Sequence, residues 1–168
     1  MSHRAEAPTL TRVTRFGLVN AYLVDEGEAL TLVDTGMAKS ERHILAAASA
    51  VGKPIARILL THAHGDHVGS VDALVAELPE VEVLISERDA KVLAGDRSFE
   101  AGEPATKMKG QFIDVATVPG TFVPGDRIGS LASAKALRAL EPSRLAPGHG
   151  RVVADPLAAM DRAIAKGA

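Results

Sequence analysis

Three histidines and an aspartate fall within six consecutive positions in the first half of the chain. The stretch reads Thr-His-Ala-His-Gly-Asp-His over residues 61–67, which places the candidate ligands at His62, His64, Asp66 and His67. Imidazole and carboxylate groups together suit zinc, iron or manganese better than calcium or magnesium. The pattern therefore predicts a metal site rather than a polar turn with incidental histidines.

A fifth candidate ligand lies far along the chain. His149 stands between Gly148 and Gly150, and glycines let the backbone turn tightly and present a side chain. Alone it would be interpreted as a turn histidine, but beside the metal motif we interpret it as a ligand. His43 lies in a predicted helix and is interpreted as a solvated surface histidine, with a substitute ligand role left open.

Five candidate ligands are enough to coordinate one metal ion fully, but they are too few to coordinate two ions well. Catalytic zinc requires three protein ligands and an open position, from which a bound cation can activate water and polarise a carbonyl or phosphoryl group. We therefore expect one zinc ion and a hydrolytic reaction. A second ion is the alternative, and iron or manganese remain open.

The segments around the motif predict how its ligands are positioned. An apolar run over residues 55–60 predicts a buried strand, and apolar residues over 66–78 repeat at the period of a helix packed on a sheet. The motif thus lies on a strand-to-helix turn, where α/β folds place their sites. Asp34 follows another predicted strand, and its spacing fits a site role and a capping role equally well.

Strands and helices alternate after an antiparallel start, which predicts an α/β domain with a mixed sheet. The predicted strands cover residues 10–15, 18–24, 30–33, 55–60, 81–85 and 144–146, and the predicted helices cover 40–51, 66–78, 86–95 and 130–140, with a last one after Asp155. No repeat or linker interrupts residues 1–168, so we expect one domain.

A polar stretch over residues 96–112 has no period and is rich in turn formers. In a compact domain a stretch of this length is either a loop over a site or a disordered excursion. Its basic residues Arg97, Lys107 and Lys109 are interpreted as solvated charges, with contact to an anionic group as the alternative.

The composition narrows the class of function. The 168 residues are 46% hydrophobic and 24% charged, which suits one globular domain. A net charge of −2 gives no indication of nucleic acid or an anionic membrane as partner. The absence of cysteine removes thiolate ligands. No segment has the length of a membrane span or the pattern of a signal peptide, so we expect a cytoplasmic protein acting on a small molecule.

The motif at residues 61–67 resembles the signature of the metallo-β-lactamase fold hydrolases. The resemblance extends, in family order, to residues 20–24, 32–36 and 147–150. It implies an αββα sandwich of mixed sheets with the metals at one edge. It also implies hydrolysis of ester, lactone, thioester or amide-like bonds through a metal-activated water.

The resemblance implies a role for each candidate ligand. In the family's pattern, the residues that match His62 and His64 bind a first metal. Those that match Asp66, His67 and His149 bind a second. The residue that matches Asp66 is often assigned a further, catalytic role in orienting or activating the nucleophilic water.

The chain departs from the family's pattern between His67 and His149. The family supplies a third histidine for the first metal and a bridging aspartate in this interval, and here it contains no histidine. Residues 125–131 resemble the hairpin before that histidine and run directly into the predicted helix. We therefore interpret the sandwich as truncated in its C-terminal half. A rival alignment makes Asp126 a substitute ligand.

Two hypotheses about function follow. The first is a metal-dependent hydrolase in which Asp66, His67 and His149 hold one cation. The second is a non-catalytic or weakly active metal-binding protein that keeps the fold and has lost part of a dinuclear site. Because missing strands expose sheet edges, we expect a homo-oligomer, such as a homodimer, that completes strands or the metal site across its interface.

Overall fold

The computed structural model describes residues 9–99, 110–122 and 130–167 of the chain. Contacts between residues divide the chain into a first unit, residues 1–123, and a second unit, residues 124–168. The first unit contains the histidine motif, and the second contains the predicted C-terminal ligand.

A six-stranded sheet in which the strands follow chain order forms the first unit. Its strands are β1 (Leu10–Arg15), β2 (Val19–Asp25), β3 (Leu30–Val33), β4 (Ile55–Leu59), β5 (Glu82–Ser86) and β6 (Gly120–Phe122). The pairs β1–β2 and β2–β3 are antiparallel, and the remaining pairs are parallel. The sheet is therefore mixed, as the alternation of elements along the sequence predicts.

In the residues that the structure describes, the connections between the parallel strands contain four helices. They are α1 (Glu41–Val51), α2 (Gly65–Val68), α3 (Val71–Glu77) and α4 (Glu87–Leu93). The core lies between these helices and the sheet, where Leu32, Ile58 and Ile85 from three neighbouring strands pack with Ile44 of α1 and Leu74 of α3. All five side chains are 0% exposed, and each contributes roughly 1.5–3 kcal/mol by its burial.

Helix α1 begins directly after Ser40, a residue type that commonly caps helices, but this serine does not cap α1 with its side chain. The Ser40 backbone is already helical, and its hydroxyl makes no cap hydrogen bond. Its N–H donates to Ser70 Oγ at 2.8 Å instead. The helix ends at Gly52, whose φ of +79° is a left-handed conformation that glycine adopts without strain.

The helix predicted over residues 66–78 is divided into α2 and α3 at Gly69 and Ser70. The Gly69 N–H donates to the carbonyl of Gly36 at 2.8 Å rather than within a continuous helix. A Cβ atom at Gly69 would lie only 2.4 Å from the backbone nitrogen of Ala38. The close approach of the loop after β3 therefore interrupts the helix.

The polar stretch predicted over residues 96–112 is partly described. Residues 96–99 and 110–112 have no helix, and their described parts include one isolated bridge, between His64 and Phe112. Lys107, Lys109 and Asp126 lie outside the described residues.

The described part of the second unit, residues 130–167, contains two helices and a two-stranded antiparallel sheet. Its elements are α5 (Ser130–Ala139), β7 (Arg144–Leu145), β8 (Val153–Ala154) and α6 (Leu157–Gly167). The Arg138 guanidinium joins α5 to α6 through the Asp161 carboxylate at 2.7 Å. In the part of the chain that the structure describes, no helix is long and apolar enough to cross a membrane.

Candidate metal centre

The histidine motif leaves the sheet at the carboxyl end of β4, as the sequence predicts. The N–H of Leu60 still donates to the carbonyl of Leu84 at 2.8 Å, which extends the contact with β5 by one residue. The chain then turns through Thr61 and enters α2 at Gly65. The four polar side chains of the motif are thus held on a short turn between a strand and a helix.

A buried aspartate at the end of β3 holds this turn in place. The Asp34 carboxylate accepts hydrogen bonds from the Thr61 N–H at 2.8 Å and from the Thr61 hydroxyl at 2.8 Å. It also accepts from His67 Nδ1 at 2.7 Å, and the side chains of both residues are only 4% exposed. The sequence left the role of Asp34 open, and the structure places it beside the motif.

Asp34 also determines which ring nitrogens of two histidines face the centre. His67 donates its Nδ1–H to Asp34, so in the neutral ring Nε2 carries the lone pair. The Thr61 hydroxyl donates to Asp34 and accepts from His62 Nδ1 at 2.9 Å, so Nε2 of His62 carries the lone pair as well. Carboxylates that orient histidine ligands in this way are typical of protein metal sites.

The four side chains form two pairs of donor atoms that fit a divalent cation. His62 Nε2 and His64 Nδ1 lie 3.1 Å apart. Two nitrogens bound to one tetrahedral zinc ion at about 2.0–2.1 Å lie roughly 3.3–3.4 Å apart. His67 Nε2 and Asp66 Oδ2 form the second pair, 3.7 Å apart. The arrangement therefore suits the metal that the motif predicts.

The environment shifts the pKa values of two of these histidines in opposite directions. Burial lowers the pKa of His62, and the neighbouring His67 and His64 lower it further. Burial also acts to lower the pKa of His67, but the hydrogen bond and charge of Asp34 and the charge of Asp66 outweigh it and raise that pKa. A low pKa keeps His62 neutral, which is the form that binds metal ions.

Residues 110–112, the described end of the polar stretch, lie against His64. The Gly65 N–H donates to the carbonyl of Gln111 at 2.8 Å, and the Phe112 ring meets the His64 ring edge-on at 5.1 Å between centroids. A Cβ atom at Gly110 would lie within 2.4 Å of His64 Nε2. Only a glycine can therefore occupy position 110 with the histidine in this place.

Asp72 on α3 fixes the continuation of the same segment. Its carboxylate accepts from the N–H groups of Ala116 and Thr117 at 3.0 and 2.8 Å, and from the Thr117 hydroxyl. Partial burial raises the pKa of Asp72, but these hydrogen bonds outweigh it and lower the pKa. The segment that borders His64 is thus anchored to the helix that follows the motif.

The sequence also indicates two candidates outside the motif, His149 and His43. His149 is in the second unit, exposed in the turn between β7 and β8 and directly before Gly150, whose φ is +87°. Its role as a ligand stays a prediction. His43 is exposed on α1, where it lies 3.0 Å from the Arg15 guanidinium.

Comparison with known proteins identifies the family. The profile of the metallo-beta-lactamase superfamily matches residues 14–107, which include the end of β1, the strands β2 to β5 and the whole histidine motif. The chain belongs to the metallo-β-lactamase superfamily. Solved metallo-β-lactamases share its fold: GOB-18 from Elizabethkingia meningoseptica superimposes with a TM-score of 0.54 at 27% identity, covering 73% of this chain and 45% of that one. The predicted family and the predicted metallo-β-lactamase fold are confirmed.

Curated relatives of this metallo-β-lactamase superfamily member are longer proteins. YobT, an uncharacterized protein of Bacillus subtilis (strain 168), is 46% identical over 115 residues, which are 67% of this chain and 49% of YobT. The hydroxyacylglutathione hydrolase of Stenotrophomonas maltophilia (strain R551-3) is 38% identical over 98 residues, 58% of this chain and 36% of the relative. The chain thus spans about half, or less, of the length of these relatives.

Proposed function

We propose that this metallo-β-lactamase superfamily member is a metal-dependent hydrolase of ester, lactone, thioester or amide-like bonds. The observation that carries the proposal is the pair of donor sets, His62 with His64 and Asp66 with His67. A single buried carboxylate orients one histidine ring in each set. A related protein is named a hydroxyacylglutathione hydrolase, and the solved structures with this fold are named β-lactamases. Both names describe hydrolytic enzymes.

The residues of the centre have distinct proposed tasks. When bound, a divalent cation supplies an acidic water and polarises the bond to be cleaved. Asp66 is 36% exposed, so water and substrate can reach it. We assign it the role of orienting the nucleophilic water and accepting its proton. Asp34 keeps the His67 ring fixed while this happens.

We propose zinc as the metal, with one ion held by Asp66, His67 and His149. The family's pattern and the glycines around His149 support the third ligand. His62 and His64 form a second, weaker pair, because the sequence contains no histidine between His67 and His149 to complete it. A second ion at this pair, and iron or manganese in place of zinc, are the alternatives that metal analysis distinguishes.

Hydrolysis assays test the proposal. Zinc-loaded protein is compared with the His67→Ala variant on chromogenic ester, lactone, thioester and β-lactam substrates. His43→Ala is the matched control, because it removes an exposed histidine of α1 that lies outside the motif. We expect turnover by the wild type and the control, and a loss of at least about 100-fold in His67→Ala. Wild-type rates equal to those of His67→Ala on every substrate would contradict the hydrolase proposal.

The second candidate function is a metal-binding oligomer without turnover. The position of β6 at the edge of the described sheet favours it. Val118, just before β6, is 92% exposed, and exposed sheet edges pair readily with another chain. Sedimentation tests the homodimer: a stable monomer at micromolar concentration would rule it out.

A cytoplasmic location is part of both proposals, and cell fractionation tests it.

A further inference from the structure

A carboxylate from a different element holds the backbone between His62 and His64. Ala63 is 1% exposed, and its N–H donates to Asp89 Oδ1 at 3.0 Å. Asp89 lies in the first turn of α4, after β5. A buried N–H group requires a partner, and here the partner is an acidic side chain rather than a peptide carbonyl.

The helix that carries Asp89 holds this carboxylate firmly. The Ser86 hydroxyl accepts from the Asp89 N–H at 3.1 Å and donates to Asp89 Oδ2 at 2.6 Å. The Ser86 side chain thereby caps α4. The carboxylate of Asp89 has a second contact, with Ala63, that helix capping does not require.

Two carboxylates thus accept hydrogen bonds from the backbone of the turn that follows β4. Asp34, which follows β3, accepts from the N–H of Thr61. Asp89, which follows β5, accepts from the N–H of Ala63. The turn after β4 is therefore held by one carboxylate from the segment after each neighbouring strand.

We propose that Asp89 is a positioning residue of the metal centre, whose carboxylate fixes the peptide between His62 and His64. A rotation of this peptide would redirect both side chains and separate His62 Nε2 from His64 Nδ1, which now lie 3.1 Å apart. Groups that orient metal ligands typically change metal affinity 10- to 100-fold when they are mutated. The inference rests on the metal binding of the proposed function, and not on the hydrolysis.

Two substitutions at Asp89 separate positioning from helix stability. Asp89→Ala removes the acceptor of the Ala63 N–H. Asp89→Glu keeps the charge and suits the third position of a capped helix, but its carboxylate is one methylene further from the backbone. Ser86→Ala is the comparison variant: it removes the cap of α4 and the hydrogen bond to Asp89 Oδ2, and it leaves Asp89 Oδ1, the acceptor of the Ala63 N–H, in place.

The measurements are cobalt affinity, the cobalt absorption spectrum and the exchange rate of the Ala63 amide hydrogen in the metal-free protein. We expect cobalt to bind about 10- to 100-fold more weakly in Asp89→Ala and Asp89→Glu, with an altered spectrum. The Ala63 amide should exchange faster in Asp89→Ala, and faster than neighbouring amides. Ser86→Ala should lower the melting temperature and keep the affinity within about threefold.

Two outcomes would overturn the inference by itself. One is a folded Asp89→Ala or Asp89→Glu variant that binds cobalt within twofold of the wild type with an unchanged spectrum. The other is a Ser86→Ala variant that loses as much affinity as Asp89→Ala, which would reduce Asp89 to a helix cap. A wild-type protein that binds no cobalt would overturn the proposed function as well, so the two failures are distinguishable.

Discussion

Replacing Asp34 with asparagine changes the chemistry of one buried oxygen and almost nothing else. The two side chains have the same shape, and both tolerate the left-handed backbone at this position, where φ is +58°. If the amide oxygen keeps the hydrogen bond from Thr61 N–H, the amide NH₂ group faces His67 Nδ1. The ring must then accept at Nδ1, and its proton moves to Nε2, the atom that faces Asp66.

The expected loss follows from these contacts. A hydrogen bond to a charged group contributes about 1.5–3 kcal/mol, and Asp34→Asn removes such a bond from a histidine whose side chain is 4% exposed. The wrong tautomer must be reversed before Nε2 can bind a cation. Since 1.4 kcal/mol corresponds to a factor of ten, we expect zinc affinity to fall about 10- to 100-fold. The free energy of unfolding of the metal-free protein should fall by only about 1 kcal/mol, because an amide–imidazole hydrogen bond replaces the original one.

Competition with a chromogenic chelator measures the affinity, and urea unfolding measures the stability. Asp34→Ala provides the comparison: it should lose a further 1–2 kcal/mol or so of stability, because alanine is strained at positive φ. An Asp34→Asn variant that binds zinc within twofold of the wild type would refute the argument that Asp34 fixes the ring of His67.

Three further predictions concern the segments that border the motif. Gly69→Ala should lower the free energy of unfolding by about 1–3 kcal/mol in urea titrations, because its Cβ would overlap backbone atoms of the loop after β3. Gly110→Ala should displace His64 and weaken zinc binding about tenfold in chelator competition. The pKa of Asp72 is lower in the folded protein than in the unfolded chain, where it is about 3.9. The stabilisation by Asp72 is therefore complete above the unfolded pKa and is lost as the pH falls through the lower folded value. Hydrogen exchange should show the Thr117 amide losing protection over that acidic range.

Each of these predictions has a control and an outcome that contradicts it. Gly65→Ala, whose Cβ would come no closer than 3.2 Å to another atom, in the flexible Ile113 side chain, should lose less stability than Gly69→Ala. Gly95→Ala shares a positive φ with Gly110→Ala but meets no atom closer than 3.9 Å, so equal losses of zinc affinity would disprove the contact with His64. An Asp72→Asn variant in which the Thr117 amide is as well protected as in the wild type would show that the carboxylate does not anchor this segment.

Local pattern was enough to predict the elements whose side chains alternate or repeat along a single segment. The alternation at residues 10–15, 18–24 and 30–33 predicted the three antiparallel strands, and the run at 55–60 predicted the strand before the motif. The break in the helix at Gly69 was not predictable, since a distant loop causes it. Strand β8 was missed because two residues are too short to show a period.

The same distinction between local pattern and distant contacts applies to the candidate site. The candidate ligands of the motif could be named from the sequence because their residue types and spacing are informative by themselves, and their role as metal ligands stays a prediction. The roles of Asp34 and Asp89 could not be read from spacing, because they depend on β3 and β5 being the neighbours of β4 in the sheet. Parallel neighbours are joined by long crossovers, so residues that flank the motif in space lie 27 and 26 positions away from their partners Thr61 and Ala63.

Metal content per chain tests most directly whether the motif holds a cation. Protein purified without chelator is analysed for zinc, iron, manganese and cobalt, as wild type and as His67→Ala, with His43→Ala as control. We predict about one bound ion per chain in the wild type and the control, and a large loss in His67→Ala. A wild-type protein without a bound cation, or a His67→Ala variant that retains the wild-type content, would contradict the assignment of residues 61–67 as a metal centre.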